Sequence, residues 1–262
     1  MVNFAGINRN TMFQEIQNKL VEMEQAHNIR ILYACESGSR AWGFPSTDSD
    51  YDVRFIYMKP LNNYLSINDY KDTIDLPVNE ALDINGWDIR KSLRLFKSSN
   101  APLYEWLQSP IVYTKDDIFL MDIKSWMHSC FSLRKGMHHY LSMTKNTWNE
   151  IRSDEIKIKK YFYCLRSLLA AYWIVKKQQL PPMDLPSLRI LIAQEACQNA
   201  LDELLRIKIN ADEKTMIKPV RVLHDFIERQ LIYCENNIPE DRASDFETEN
   251  LDNLFRRFVY EF

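Results

Sequence analysis

The stretch "GSRAWGFPSTDSDYDVRFIY", Gly38–Tyr57, places a glycine-bearing turn before two aspartates, Asp50 and Asp52, and an apolar run. Glycine is scarce in this chain, with 5 in 262 residues. A glycine at the mouth of a turn lets backbone N–H groups approach an anion closely. The hydroxyl of the next residue, Ser39, is available to the same anion. The stretch therefore predicts a strand–turn–strand unit with an anion-binding turn beside two carboxylates.

The spacing of the two aspartates indicates a site for a cation. Residues i and i+2 of a strand share a face, so the carboxylates of Asp50 and Asp52 are expected to project together. Neighbouring carboxylates repel, and a hard divalent cation such as Mg²⁺ removes that repulsion while keeping water or substrate phosphates in its shell. This combination favours metal-assisted phosphoryl or nucleotidyl transfer. The alternative is that "STDSD" only builds a polar hairpin, for which its residues are well suited.

The composition is that of a soluble globular protein, with 46% hydrophobic and 26% charged residues. The net charge of -3 shows no global basic field that would attract nucleic acid, so only a local basic patch would do so. The 5 cysteines are scattered without a CxxC pair, which indicates reduced thiols. Because no stretch has the apolar length of a signal peptide or a membrane span, the sequence predicts a cytoplasmic protein without membrane contact.

The apolar pattern predicts an α+β fold in two domains. Residues 1–115 would form a mixed sheet with flanking helices, and residues 116–262 an all-helical domain, because strand signals nearly vanish there. Within the first domain we predict a helix at 9–28, strands at 29–37 and 51–58, a loop at 61–80, a third strand at 81–89 and a second helix at 90–99. Asp88 is a suitable N-cap for that second helix.

The stretch Gly38–Tyr57 resembles the signature of the DNA polymerase β-like nucleotidyltransferase superfamily, in which Gly-Ser is followed by Asp-x-Asp. The segments "GWDIRKSLRLFKSSNAPLYEWLQSPIVY" (Gly86–Tyr113) and "KKYFYCLRSLLAAYWI" (Lys159–Ile174) are similar to one branch, the predicted nucleotidyltransferases associated with RNA ligase and RNA repair. The resemblance covers residues 30–185. It implies a nucleotidyltransferase-type N-terminal domain and a helical domain that completes the nucleotide and acceptor cleft.

The resemblance also implies roles for the residues of the motif. Gly38 and Ser39 would hold a nucleoside triphosphate. Asp50 and Asp52 would bind two metal ions, Mg²⁺ or Mn²⁺.

Members of the superfamily usually have a third carboxylate between apolar residues on a neighbouring strand. Asp83 in "LDI" and Asp88 in "WDI" both match. We prefer Asp83 as the third catalytic and metal-binding carboxylate, because it lies inside the predicted strand. The N-cap position explains Asp88 adequately, and Asp88 is kept as the alternative.

Three basic residues are candidates for nucleotide binding. Arg40 follows Ser39 and would contact a phosphate through two N–H groups. Lys160 and Arg166 lie on a predicted helix at spacings of three from Tyr163, and the resemblance implies that they reach the triphosphate. The alternative is that they form a solvated basic edge beside the buried face of that helix.

These observations predict an enzyme, a metal-dependent nucleotidyltransferase. It would transfer a nucleoside monophosphate from a nucleoside triphosphate such as ATP to an acceptor hydroxyl and release pyrophosphate. The acceptor would be an RNA end, a small molecule or a protein side chain. The alternative is a non-catalytic nucleotide-sensing or interaction module on the same fold. A metal-dependent hydrolase would need further His or Asp ligand pairs, which the sequence does not offer.

Overall fold

The computed structural model describes residues 9–76, 81–212, 214–240 and 246–262. Residues 1–8, at the start of the stretch in which no signal peptide is predicted, and residues 77–80 of the predicted loop lie outside the described residues. The chain divides into two compact units. Unit 1 contains the described residues as far as Gly38, Asp50–Cys130 and the final stretch to Phe262. Unit 2 contains Ser39–Ser49 and the described residues from Phe131 to 240.

Unit 1 contains a sheet and the helices that cover it. Its strands are β1 Arg30–Glu36, β2 Tyr51–Met58, β3 Thr73–Asp75, β4 Leu82–Asp88 and β5 Val112–Lys115. Its helices are α1 Arg9–His27, α3 Leu61–Tyr64, α4 Ile89–Lys97, α5 Ala101–Gln108, α6 Asp117–Ser125, α7 Met127–Cys130 and α13 Thr248–Tyr260. The short helix α2, Gly38–Trp42, follows β1 in the chain.

The sheet is mixed, as the sequence predicts. Its strand order is β3-β4-β2-β1-β5. The central pair β2 and β4 is parallel, whereas the other neighbours are antiparallel. The first residues of β2 and β4 therefore lie side by side at one end of the sheet, and their last residues meet at the other end.

The core of unit 1 lies between the sheet and α1. Ile16 and Leu20 of α1 belong to the same buried cluster as Val53 and Phe55 of β2. Since alternate residues of a strand point to opposite faces, the even-numbered residues of β2, Asp52 among them, project from the face away from α1. Asp52 thus lies on the face opposite α1, which it shares with Ile56 and Met58, and those two residues are also buried.

Unit 2 is helical, as the sequence predicts. Its helices are α8 Leu133–Glu150, α9 Ile158–Lys177, α10 Leu185–Leu188, α11 Glu195–Asn210 and α12 Arg221–Glu235. Helix α9 is buried along most of its length and packs against α8 and α12. The described residues also include a two-residue antiparallel ladder between β6 Ile156–Lys157 and β7 Met216–Ile217, which the sequence did not predict. Within the described part of the chain, every helix is too short or too polar to span a membrane.

Three local predictions differ from the structure. The predicted turn after β1 begins with helix α2. The predicted loop 61–80 contains α3 and β3. No local sequence pattern marks β3, because its backbone hydrogen bonds are made with β4. The helical periodicity of residues 187–209 predicts one helix there, but the structure breaks it, since α10 is followed by a 3-10 turn at Arg189–Leu191 and α11 begins only at Glu195.

The compact units also divide the chain elsewhere than the predicted boundary at 115/116. Unit 1 continues through α6 and α7 and includes α13. Phe258 of α13 packs edge-on against Phe119 of α6 at 5.6 Å between ring centroids, and Arg257 forms an ion pair with Asp122. Helical periodicity identifies these segments as helices, but it carries no information about the surface that each helix covers.

Candidate active site

Gly38 lies close to the carboxylate of Asp52. Its φ of +59° is in the left-handed region, which a glycine adopts without a steric penalty. A Cβ at this position would overlap with Oδ2 of Asp52. The backbone joins the same two segments, because the N–H of Ser37 donates to the carbonyl of Asp52 at 2.8 Å. The glycine of the motif is thus required both by the backbone conformation and by the space that Asp52 occupies.

Asp52 and Asp83 face each other across the parallel strands. They are direct partners in the register of β2 and β4. Nη2 of Arg54 lies 3.1 Å from Oδ1 of Asp52 and 2.7 Å from Oδ2 of Asp83. Nη1 of Arg54 donates to the carbonyls of Val53 and Asp83, at 3.0 Å and 3.2 Å. The two carboxylates that would otherwise repel each other therefore share one guanidinium.

A buried glutamate supports this end of the sheet. Glu36, the last residue of β1, is fully buried. Its Oε1 accepts from the backbone N–H of Asp52 at 2.8 Å, and its other oxygen accepts from the hydroxyl of Tyr113 on β5. Glu36 thus connects β1 to both of its neighbours, to β2 through the backbone of Asp52 and to β5 through the hydroxyl of Tyr113. Sequence reasoning did not single it out, although an acid that ends an otherwise apolar strand is a recognisable signal.

Asp50 lies immediately before β2 and is exposed. Strand β2 has the bounds predicted for it, 51–58, so Asp52 is inside the strand and Asp50 precedes it. Among the described residues, no three side chains of His, Cys, Asp or Glu are grouped so that they could hold a metal ion. The pair Asp52 and Asp83 nevertheless fits a hard cation in its chemistry: both offer carboxylate oxygens, and the structure already places a positive charge between them.

Asp88 lies at the opposite end of β4 from Asp83. The two residues are five positions apart along the strand, a distance of ~16 Å. Asp88 accepts from the backbone N–H of Arg90 at 2.8 Å as the N-cap of α4, which confirms its predicted structural role. It also accepts from the hydroxyl of Tyr64 at 2.9 Å. Burial raises the pKa of Asp88, and these two hydrogen bonds oppose that shift.

Ser39 and Arg40 both contact Ser49. The hydroxyl of Ser39 is 3.1 Å from that of Ser49, and Nη2 of Arg40 donates to the carbonyl of Ser49 at 2.6 Å. The hydroxyl of Ser49 also lies 2.9 Å from that of Ser46, which accepts from Nζ of Lys208 at 2.8 Å. The segment Ser39–Ser49 and Lys208 belong to unit 2. Sequence reasoning missed Lys208, Ser46 and Ser49.

The other two basic candidates are engaged within unit 2. Nζ of Lys160 forms an ion pair with Glu150 at 2.9 Å. Arg166 is buried, contrary to a solvated edge, and its guanidinium lies over the ring of Trp42 at 4.0 Å from the centroid. The structure thus gives each of these side chains a partner that the sequence did not identify, and their contact with a nucleotide stays a prediction.

Two known proteins similar to this chain come from a bacterium and an animal. The uncharacterised protein YcgL of Bacillus subtilis (strain 168) is 43% identical over 222 residues, which are 84% of this chain and 85% of that protein. The tRNA (34-2'-O)-methyltransferase regulator WDR6 of Drosophila melanogaster is 23% identical over 131 residues, which are 49% of this chain but 12% of that protein.

One solved structure covers most of the chain at low similarity. It is a nucleotidyltransferase-like protein from Exiguobacterium sibiricum 255-15, with a TM-score of 0.30, 12% identity, and coverage of 96% of this chain and 80% of that chain.

A family model matches nearly the whole chain. The model for RlaP, described as the RNA repair pathway DNA polymerase beta family, matches residues 12–257 and so spans both units. This agrees with the resemblance seen in Gly38–Tyr57 and with the mixed sheet that carries Asp52 and Asp83. The chain belongs to the RNA repair pathway DNA polymerase beta family.

Proposed function

We propose that this protein is a metal-dependent nucleotidyltransferase that transfers a nucleoside monophosphate from a nucleoside triphosphate to an acceptor hydroxyl and releases pyrophosphate. The observation that carries the proposal is the pairing of Asp52 and Asp83 in register on parallel strands, with Asp52 packed against the bare Cα of Gly38. Two carboxylates held side by side, one of them seated against a glycine at the start of the turn that leads to Ser39, suit the binding of a cation beside a phosphate.

The carboxylates are assigned as the catalytic residues. Asp50, Asp52 and Asp83 would hold two Mg²⁺ or Mn²⁺ ions, which would supply Lewis-acid charge for the reacting phosphate and the leaving pyrophosphate. Asp52 or Asp83 accepts the proton of the attacking hydroxyl. No covalent enzyme intermediate is needed, because positioning and charge neutralisation lower the barrier.

The triphosphate is assigned to Gly38, Ser39 and Arg40. The hydroxyl of Ser39 and the guanidinium of Arg40 supply donors, and the backbone at Gly38 supplies a close approach. Lys160 and Arg166 are kept as nucleotide-binding candidates. Their contacts with Glu150 and Trp42 would have to exchange for contacts with phosphate.

An RNA end is the proposed acceptor, supported by the RNA repair pathway in the description of the family. A hydroxyl of a small molecule or a protein would be the other outcome of the test below. The proposal includes a cytoplasmic location, which is supported by the five free cysteines.

A second candidate function, a non-catalytic nucleotide-sensing module, is favoured by one observation. The guanidinium of Arg54 bridges Asp52 and Asp83, so it occupies a position at which a metal ion would compete with it. In a non-catalytic module Arg54 would stay there permanently, and nucleotide would bind without any transfer of label.

The test is transfer of label from each α-labelled nucleoside triphosphate in Mg²⁺, with and without RNA, together with release of pyrophosphate. We expect transfer to RNA by the wild type and its loss in Asp52→Asn and Asp83→Asn, because each change removes a carboxylate of the pair. Asp117→Asn is a matched control, since this carboxylate of unit 1 is exposed and pairs with Lys115.

Binding of nucleotide without any transfer would favour the sensing module. Transfer that survives both substitutions would overturn the assignment of the carboxylates. Loss of transfer in Asp88→Asn with a stable fold, but not in Asp83→Asn, would reverse the choice of the third carboxylate.

A further inference from the structure

We infer that Lys208 is a positioning residue for the phosphate that Ser39 binds, and that it acts through the hydroxyls of Ser46 and Ser49. The inference rests on the proposed function, because the phosphate is that of the nucleoside triphosphate. Nζ of Lys208 donates to Ser46 at 2.8 Å, Ser46 and Ser49 are 2.9 Å apart, and Ser49 and Ser39 are 3.1 Å apart. This row of donors and acceptors is called the hydroxyl chain below.

The hydroxyl chain is shielded from water. Lys208 is 1% exposed, and the three serines are 8% exposed or less. A buried ammonium is costly, and its electrostatic effect on neighbouring hydrogen bonds is stronger than it would be in water. Lys208 also continues the buried stripe of Cys197, Leu201 and Leu204 on α11, where an apolar residue would suffice for packing.

The protons of the hydroxyl chain allow two orders. An ammonium only donates, and each serine hydroxyl has one proton. Ser49 already accepts the backbone N–H of Ser46 at 2.8 Å, so its single proton points either to Ser46 or to Ser39. In the first order Ser39 donates to Ser49, as in this structure. In the second order Ser46 donates to Ser49, Ser49 donates to Ser39, and the proton of Ser39 becomes available to a ligand.

The charge of Lys208 favours the second order. An ammonium that donates to Ser46 polarises its O–H and makes it a better donor, and such chains strengthen cooperatively. When an anion accepts from Ser39, every donor of the hydroxyl chain points from Lys208 towards that anion. A neutral ligand would gain less from the same alignment. Lys208 therefore contributes to selection of phosphate, although it is separated from Ser39 by two side chains.

A structural explanation competes with this inference. Lys208 could serve only to hold the segment Ser39–Ser49 in place. Another hydrogen bond already holds this segment, from the hydroxyl of Thr47 to the carbonyl of Ala211. The two explanations differ in one respect. A structural role does not depend on the hydroxyl of Ser39, whereas a role through the hydroxyl chain vanishes when that hydroxyl is removed.

The experiment is a double-mutant cycle on the full chain, with the dissociation constants of ATP and of inorganic triphosphate measured by calorimetry in Mg²⁺. We expect Lys208→Met and Ser39→Ala each to weaken binding roughly tenfold, the scale of one hydrogen bond to a charged group. The double variant should bind as weakly as Ser39→Ala alone, because both changes interrupt one chain. Arg206→Met, an exposed residue of the same helix, should leave binding unchanged.

Additive effects of Lys208→Met and Ser39→Ala would overturn the inference and support the structural role. If Lys208→Met does not fold, Ser49→Ala cuts the hydroxyl chain without touching the lysine, and the same non-additivity with Ser39→Ala is expected. If Lys208→Met or Ser49→Ala bound triphosphate as tightly as the wild type does, the inference would be overturned but the proposed function would not. A wild type that binds neither ATP nor triphosphate would overturn the proposed function as well.

Discussion

At the scale of single residues, the geometry at Gly38 links the motif to the carboxylates. The bare Cα of Gly38 leaves the space into which the carboxylate of Asp52 fits, and Arg54 holds that carboxylate beside Asp83. One missing methyl group thus affects the position of two acidic side chains. The same argument separates the glycine from an ordinary turn residue, for which only the backbone conformation matters.

Gly38→Ala should therefore abolish nucleotidyl transfer as well as lower stability. The left-handed φ costs an alanine about 1–2 kcal/mol, and its Cβ would displace Asp52. Gly43→Ala is the matched control, because Gly43 is also left-handed, at φ +87°, but its Cβ would meet only Pro186, at 3.0 Å. Urea unfolding and label transfer measure the two effects. Equal loss of transfer in both variants would contradict the argument.

Part of the site was predictable from the sequence at this scale. Asp52 follows from the spacing of the motif. Asp83 follows from the third carboxylate that the family resemblance implies and from its place inside a predicted strand, and the structure pairs the two residues. The contact of Lys208 with Ser46 spans 162 positions of the chain, so no local pattern announces it. The signal that was available is the lysine within an apolar stripe of α11. A charged residue in such a stripe identifies a position where charge is retained despite its cost.

At the scale of secondary-structure elements, the junction of β4 and α4 depends on one carboxylate. Asp88 ends the strand, caps the helix and accepts from Tyr64. Because this carboxylate is fully buried, the folded protein binds its proton more tightly than the unfolded chain does. The ordinary pKa of the group is 3.8, and the folded pKa lies above it.

The stability of the wild type relative to Asp88→Asn should consequently depend on pH. The contribution of Asp88 is fully present below 3.8 and is lost as the pH rises through the raised pKa. Asparagine keeps an oxygen for the N-cap but does not titrate. Urea unfolding of both proteins across a pH series that starts below 3.8 measures the difference. If the free energies of unfolding of the two proteins changed with pH in parallel, the pKa of Asp88 would be the same in the folded and the unfolded protein.

Elements with a strong local pattern were predicted well, and the others were not. The predicted strand 51–58 has the bounds of β2, and the helix predicted over 9–28 ends one residue later than α1. Strand β3 has three residues, too few for a periodic signal, and it exists because β4 offers it a partner. Likewise the break before α11 has no local signal as strong as the apolar spacing around it.

At the scale of the whole molecule, unit 1 is assembled from distant parts of the chain. Helix α13 is separated from α7 by the whole of the second segment of unit 2, yet it belongs with the sheet. The ring of Phe255 of α13 packs edge-on against that of Tyr64, at 5.2 Å between centroids, and the guanidinium of Arg90 of α4 lies over the ring of Phe255. The stability of the carboxylate-bearing unit therefore depends on residues more than a hundred positions from its motif.

Phe258→Ala should destabilise unit 1 by about 3–5 kcal/mol, the range for truncation of a buried aromatic residue. Its side chain is 2% exposed and packs against Phe119. Tyr260→Ala, two residues further along the same helix, removes a side chain that is 72% exposed and should change stability by less than about 0.5 kcal/mol. Urea unfolding followed by circular dichroism compares the two. Similar losses in both variants would mean that α13 does not support the core through Phe258.

The late position of α13 has a consequence for biosynthesis. The ribosome releases every strand of the sheet before it makes the second segment of unit 2, but helix α13, which packs against α4 and α6, is made only afterwards. Until α13 is made, the apolar side chains that it covers, Phe119 of α6 among them, stay uncovered, and exposed apolar surface of this kind makes folding intermediates prone to aggregate. A polypeptide whose translation stops within the second segment of unit 2 would contain the whole of Gly38–Tyr57 and still lack this cover, so we expect it to be less stable than the full chain.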